Sequence, residues 1–318
     1  MAVSLVIPVR NETESLEELI ASIRRQTLPP AEIVIVDGGS TDGTPELARR
    51  LTAGDPRFRV VEAGNATPGR GRNVGIEHAR YDWVALTDGG IRLESDWLQS
   101  LVAAAERNPG VSIVYGAFDP IEDTFFERCA TLAYVPPRQA HADGGTRGKF
   151  IASSLMRRDA WRAVGGFPDL RAAEDLIFMD RLAADGFREV WAPEARVGWR
   201  PQPTLARTCR RFVIFSRCNA LVGRQRLWHY GVARQYVGLA LFVALAVAFS
   251  WWWLIVPAVA GVLRVARSIW NRRGAHSLIW CLNPVQFALV AIIIFAADIS
   301  TFVGWGQAIR GSASTGPA

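Results

Sequence analysis

The chain opens on an apolar run, Val3-Ser4-Leu5-Val6-Ile7-Pro8-Val9, that is too short for a buried helix and stops at the polar Arg10-Asn11-Glu12. Such a run predicts a strand covered on both faces. Asn11 and Glu14 have capping-box spacing ahead of Leu16, Leu19, Ile20 and Ile23, which recur at helical intervals, so a helix is expected next. The alternation continues with strands over 32–37, 59–62, 83–88 and 112–115 and helices over 44–51, 72–78 and 96–106. Apolar strands alternating with helices, each strand closed by Gly or Asp, predict an α/β domain whose largely parallel sheet is covered on both faces. The pattern then loosens into a helix over 124–134, a turn at Asp143-Gly144-Gly145, a strand over 150–156, a helix over 174–184 and a strand at 189–191. No basic leader precedes the first strand, so this domain is expected in the cytosol.

From residue 204 the character changes. Residues 204–226 set Leu205, Phe212, Phe215 and Leu221 among Arg207, Arg210, Arg211, Arg217, Arg224 and Arg226, the outline of an amphipathic helix at a membrane surface. The run 237–263 holds no charged residue, and as one helix it would measure ~40 Å against ~30 Å of hydrocarbon. Ser250-Trp251-Trp252-Trp253 and Pro257 interrupt it, which leaves a hairpin that dips in and returns as the other arrangement. Residues 278–297 form a second uncharged stretch long enough to span. Arg264, Arg267, Arg272 and Arg273 lie between the two runs and favour a cytosolic loop, which supports the hairpin. The expected organisation is an α/β domain over 1–203, an amphipathic region over 204–234, membrane helices over 235–310 and a flexible end over 311–318.

Composition sharpens this picture. Half of the 318 residues are hydrophobic and the mean hydropathy is +0.12, which excludes a disordered chain and points to membrane contact. The net charge of +6 hides an asymmetry: beyond Glu194, fourteen arginines face a single acid, Asp298, whereas the first 194 residues hold 22 basic and 29 acidic side chains. Arginines flanking uncharged runs suit anionic lipid headgroups and argue against nucleic acid as a partner. Asp298 within an apolar run is costly unless paired, and an arginine partner near the headgroups is expected for it. His229 and His276, beside aromatic and basic residues, read as packing groups. Cys129, Cys209, Cys218 and Cys281 show no metal-like spacing and read as free thiols.

Ligands of open α/β sheets collect beyond the carboxyl ends of the strands. Four unusual segments fall there: Pro8-Val9-Arg10-Asn11-Glu12, Asp37-Gly38-Gly39-Ser40-Thr41-Asp42, Asp88-Gly89-Gly90, and Gly69-Arg70-Gly71-Arg72-Asn73 at a helix start. Each alone is an ordinary turn or cap; four at one sheet edge mark a site.

In order and spacing, Val6-Ile7-Pro8-Val9-Arg10-Asn11-Glu12, Val36-Asp37-Gly38-Gly39-Ser40-Thr41-Asp42-Gly43-Thr44 and Arg72-Asn73-Val74-Gly75-Ile76 resemble the successive signatures of family 2 glycosyltransferases, which have the GT-A fold. Val164-Gly165-Gly166-Phe167, then Ala173-Glu174-Asp175-Leu176 with Arg181-Leu182 on the same helix, agree with that family. The resemblance covers about residues 3–197, and the apolar tail is similar in character to membrane-attached members.

The resemblance implies an inverting hexosyltransferase that uses a nucleotide-sugar donor. Asp175 matches the family's catalytic base, with Glu174 beside it at a helix start where backbone N–H groups and the dipole favour negative charge. Pro8, Arg10 and Glu12 match positions lining base and ribose, and Arg72 matches a basic residue beside the nucleotide. Asp37 stands where the family carries two successive Asp, one of which bonds the base; here the second is Gly38. Asp88 holds the first position of the Asp-x-Asp motif that binds Mg²⁺ or Mn²⁺, and Gly90 replaces the second, so a metal would rest on Asp88, donor phosphates and water. The basic, apolar tail implies a lipid acceptor, with Arg210 and Arg211 holding the phosphate of a polyprenyl-phosphate carrier; a neutral glycolipid or terpenoid is the alternative. A catalytically silent nucleotide-binding scaffold is the rival class, suggested by Gly38 and Gly90 and opposed by Glu174-Asp175. A small transporter is disfavoured by the few membrane segments.

Overall fold

The computed structural model describes residues 1–138, 147–274 and 276–313; the turn expected at Asp143-Gly144-Gly145 lies outside them. The chain divides into two compact units, the first formed by Met1–Ile121 with Arg138–Arg200.

The first unit is built on an eight-stranded sheet in the order β3-β2-β1-β4-β7-β6-β8-β5. β1 (Val3–Val9), β2 (Glu32–Asp37), β3 (Phe58–Glu62) and β4 (Trp83–Leu86) form its parallel half, connected by α1 (Leu16–Arg24), α2 (Thr44–Thr52) and α3 (Pro68–His78). β1 and β2 are almost wholly buried, as their apolar runs require. Beyond β4 the sheet is mixed. β5 (Ile91–Leu93) pairs antiparallel with β8 (Glu189–Trp199), which is parallel to β6 (Ile113–Pro120). β7 (Ser154–Arg157) runs antiparallel to both β4 and β6. The expectation of a largely parallel sheet thus holds for the first four strands. Parallel pairing needs a crossover laid on the sheet, and α5 (Phe125–Tyr134), which separates β6 from β7 in sequence, belongs to the other unit.

Helices α4 (Trp97–Arg107), α6 (Arg158–Ala163) and α7 (Glu174–Ala184) complete the unit. Val6, Val34, Ile76, Val84, Phe178 and Leu182 sit in one core cluster. The expected capping box at Asn11 is absent: α1 starts after Ser15, and Asn11, left-handed at φ 57, uses Oδ1 to accept from Thr41 N at 2.9 Å. α3 begins four residues before the predicted start, because Thr67 caps Arg70 N and Pro68 fits the first helical position. Its glycines allow close packing; a Cβ on Gly75 would stand 2.3 Å from Val6 Cγ1.

The second unit comprises Glu122–Pro137 and Pro201–Ala318. α5 carries a capping box between Thr124 and Glu127 and buries Cys129, Ala130, Leu132 and Ala133 against Val265, Ile269, Val290, Ile293 and Ile294. The predicted amphipathic helix is two: α8 (Leu205–Leu221) ends near Gly223, left-handed at φ 78, and α9 (Gln225–Trp228) follows. Next come α10 (Tyr230–Ala248), a 3-10 turn (Trp251–Leu254), α11 (Ile255–Arg272), α12 (Leu278–Cys281) and α13 (Pro284–Ala313). Three stretches, Tyr230–Ala248, Trp251–Arg272 and Pro284–Arg310, are long and apolar enough to cross a membrane. The tryptophan turn divides the uncharged run 237–263, so one continuous helix there does not occur. Pro257 falls in the first turn of α11, where it costs no helical hydrogen bond.

Arg264, Arg267 and Arg272, expected in a loop, lie on α11. Arg264 donates to Asp298, with Nη2 to Oδ1 at 2.9 Å, and Tyr236 Oη donates to Asp298 Oδ2 at 3.0 Å, so α10, α11 and α13 share one buried carboxylate with its arginine partner. α8 and α13 meet backbone to backbone at Gly304, whose Cβ would stand 2.3 Å from the Val213 carbonyl oxygen. Beside it Ser216 Oγ donates to Thr301 O at 2.6 Å and contacts His229 Nε2 at 2.8 Å. One hydroxyl proton serves one acceptor, so the imidazole donates there. His276 stacks on Trp280, and none of the four cysteines is joined in a disulfide among the described residues.

Candidate active site

The strand order reverses direction of growth at β1, whose neighbours are β2 and β4, and the segments leaving those three strands converge there. After β2, both Asp37 oxygens turn into their own loop: Oδ2 accepts from Gly39 N and Ser40 N at 3.0 and 3.1 Å, and Oδ1 from Ser40 Oγ at 2.5 Å. Asp37 is therefore buried as the organiser of the loop. Gly39, at φ 81, would place a Cβ 2.7 Å from Gly64 O, which excludes any side chain. Asn11 and Thr13 lace the end of β1 to this loop through Ser40, Thr41 and Asp42. Pro8, Arg10 and Glu12 consequently stand at a fixed, half-buried edge.

Arg72 links the remaining parts. Its guanidinium is 4% exposed; Nη2 donates to both Asp88 oxygens at 2.7 and 2.9 Å and Nη1 to Glu174 Oε1 at 2.7 Å. Its fork thus faces carboxylates, not an open base or phosphate pocket. Burial opposes its charge, but Asp88, Glu174 and Asp175 outweigh burial and hold it more firmly protonated. Burial in turn pushes the Glu174 carboxyl above the usual range, against the pull of Arg72.

Asp175 is the neighbour of this pair on the first turn of α7. Its Oδ1 accepts from Leu176 N at 2.8 Å, and it is half-buried. Ala173, just before α7, is left-handed at φ 68, a strained state for alanine that persists only where surroundings enforce it. Asn73 Nδ2 donates to Phe167 O at 2.7 Å, and its Oδ1 accepts from Phe167 N and Trp161 Nε1, both at 2.9 Å. Gly69 lies so close to Pro168 O that a Cβ would stand at 2.2 Å. Asn73, Gly69 and Ala173, which the sequence marks only as members of the motif segments 69–73 and 173–176, hold this region in place.

Glu12 accepts from Ser15 Oγ and packs against Gly89 and Gly90. Burial raises its proton affinity, the Ser15 hydroxyl lowers it, and Asp88, Asp42 and Glu14 raise it again, for a net upward shift. A carboxyl raised above its unfolded value of about 4.5 binds more protons folded than unfolded, so it costs stability above that window and none below it. Glu12→Gln should therefore raise the melting temperature at pH 7 to 8, and the gain should vanish as pH falls below about 4.5. Thermal unfolding across pH measures this.

A divalent cation of the kind the motif implies fits at Asp88. Gly90 leaves open the space a side chain would fill, and that space is faced by the Glu12 carboxylate, 3.6 Å from the Cβ position. No group of three or more His, Cys, Asp or Glu is arranged for a metal among the described residues, so a cation here would draw on these two side chains and donor oxygens. Arg210 is exposed on α8 and Arg211 lies over the Phe215 ring at 5.0 Å; both belong to the second unit.

A parallel β-α-β half with charged side chains gathered beyond its strands is a nucleotide-binding architecture. Residues 4–165 match glycosyl transferase family 2, and the chain belongs to that family. It is 27% identical over 296 residues to the succinoglycan biosynthesis protein ExoA of Rhizobium meliloti, covering 86% of each chain. It is 28% identical over 206 residues to the glycosyltransferase AglE of Haloferax volcanii, covering 63% of this chain and 66% of that one. Among solved structures, the mannosyltransferase PcManGT of Pyrobaculum calidifontis, in complex with GDP-Man and Mn²⁺, shares the fold with a TM-score of 0.64 at 19% identity, over 94% of this chain and 86% of that one.

Proposed function

We propose that the chain transfers a hexose, with inversion, from a nucleotide-sugar donor to a lipid acceptor at a membrane, its catalytic unit on the cytoplasmic side. The observation that carries this reading is the start of α7: Arg72 fixes Glu174 and Asp88 together, and Asp175 stands next in line. Asp175 takes the proton of an acceptor hydroxyl as that oxygen bonds to the anomeric carbon and the bond from this carbon to the diphosphate breaks. Pro8, Arg10, Glu12 and the Asp37 loop shape the nucleotide side, and Asp88 would hold a divalent cation together with donor phosphates and water. Such a cation would neutralise charge on the departing diphosphate. Complexes of structural relatives with GDP-Man and Mn²⁺, and of S. aureus TarS with UDP, support the donor class.

The three candidate spans and the arginines of α8 support a lipid acceptor. A free phosphate monoester is largely ionised at neutral pH and would give Asp175 no proton to take. On this reading Arg210 and Arg211 hold the phosphate of a phosphate-bearing lipid carrier, with a neutral lipid as the alternative. Purified protein in lipid vesicles, supplied with a panel of nucleotide sugars and lipid acceptors with and without Mn²⁺, tests the function. The expected result is nucleoside diphosphate release and lipid-linked sugar from one donor; no turnover with any donor would overturn the reading. Arg210→Ala and Arg211→Ala should raise the KM of a phosphate-bearing acceptor while leaving donor hydrolysis unchanged. An unchanged KM in both would move the acceptor to a neutral lipid.

A further inference from the structure

The acidic residue missing at Gly90 leaves a question of charge. Arg72 is the buried guanidinium beside Asp88, Glu174 and Asp175, and it bonds only Asp88 and Glu174. Glu12 is held by the Ser15 hydroxyl and has no ion-pair partner among the described residues. A donor diphosphate entering beside it adds negative charge to a site whose arginine is already paired, so a further cation would favour its binding.

The loop after β4 is shaped around Glu12. A Cβ on Gly89 would stand 2.7 Å from Glu12 Cγ and 3.0 Å from Oε1, so no other residue fits there without displacing the carboxylate. Gly90 is left-handed at φ 75, and its Cβ direction leads to Glu12 Oε2 and Ser15 Oγ at 3.6 and 4.0 Å. The Glu12 backbone is fixed as well: its N–H donates to Thr44 Oγ1 at 2.9 Å, and its carbonyl accepts from Ser15 N and Leu16 N. The carboxylate thus faces, from a rigid support, the open space that a side chain at position 90 would enter.

We propose that Glu12 is the second carboxylate of a divalent-cation site shared with Asp88, supplied from the end of β1 in place of a side chain at position 90. The inference rests on the donor-site reading above. Two carboxylates with phosphate oxygens and water suit Mg²⁺ or Mn²⁺.

The test uses the full chain in detergent and Mn²⁺ as the probe, its binding followed by electron paramagnetic resonance with GDP or UDP present. Glu12→Gln should weaken nucleotide-dependent Mn²⁺ binding by at least about 10-fold, as should Asp88→Asn, with melting temperatures recording that each variant is folded. Glu12→Gln combined with Gly90→Asp should recover much of the loss, because Asp is among the residues that tolerate a left-handed backbone. Wild-type Mn²⁺ binding in folded Glu12→Gln would overturn the assignment, as would wild-type protein that binds nucleotide but no Mn²⁺. Wild-type protein that binds neither GDP nor UDP would instead sink the donor-site reading and this assignment with it.

Discussion

Asp175→Asn is expected to lower transfer by at least about 10²-fold while leaving nucleotide affinity close to that of the unaltered chain. The amide keeps the shape of the side chain and its contact with Leu176 N, but cannot take a proton. Steady-state rates together with GDP and UDP binding separate the two effects. Transfer at the original rate would remove Asp175 from the chemistry. Loss of nucleotide binding would mean that it shapes the donor pocket instead.

Arg72→Met should be the most destabilising single change in the first unit's site. It leaves Glu174, only 7% exposed, without its partner, a situation that costs about 3–5 kcal/mol. The pH dependence has a definite sign. Glu174 without Arg72 is raised further above about 4.5, so the variant binds more protons folded than unfolded, and its stability falls as pH rises through the raised value. Arg72→Met with Glu174→Gln should recover much of the loss, since the most buried unpaired charge is then gone and the remaining one, on Asp88, is 34% exposed to water. Equal melting temperatures for the single and double variants at pH 7 would contradict this account.

The strands β1 and β2 and helices α2, α5 and α7 were legible from local signals: an apolar run closed by a turn, the Thr124 cap of α5, or acidic residues in the first turn of α2 and α7. β5 and α6 were not, being too short to show a period. Asn11 misled because its cap-like position is used across strands, toward Thr41. At the site, motif order located Asp88, Glu174 and Asp175, yet the bond that joins Arg72 to Glu174 spans 102 residues and left no local trace. The left-handed state of Ala173 was equally hidden, since alanine carries no preference for it.

The division of the chain into units has a consequence for its biosynthesis. α5 is translated in the middle of the first unit, but its buried face packs on α11 and α13, and Ser268, which bonds Leu132 O, follows 136 residues later. During synthesis α5 must leave the ribosome with Cys129, Ala130, Leu132 and Ala133 uncovered until the C-terminal helices arrive. Cutting the chain after the sheet would make that transient state permanent. A fragment ending at Arg200 should therefore aggregate, and a soluble version would need polar replacements along this face of α5.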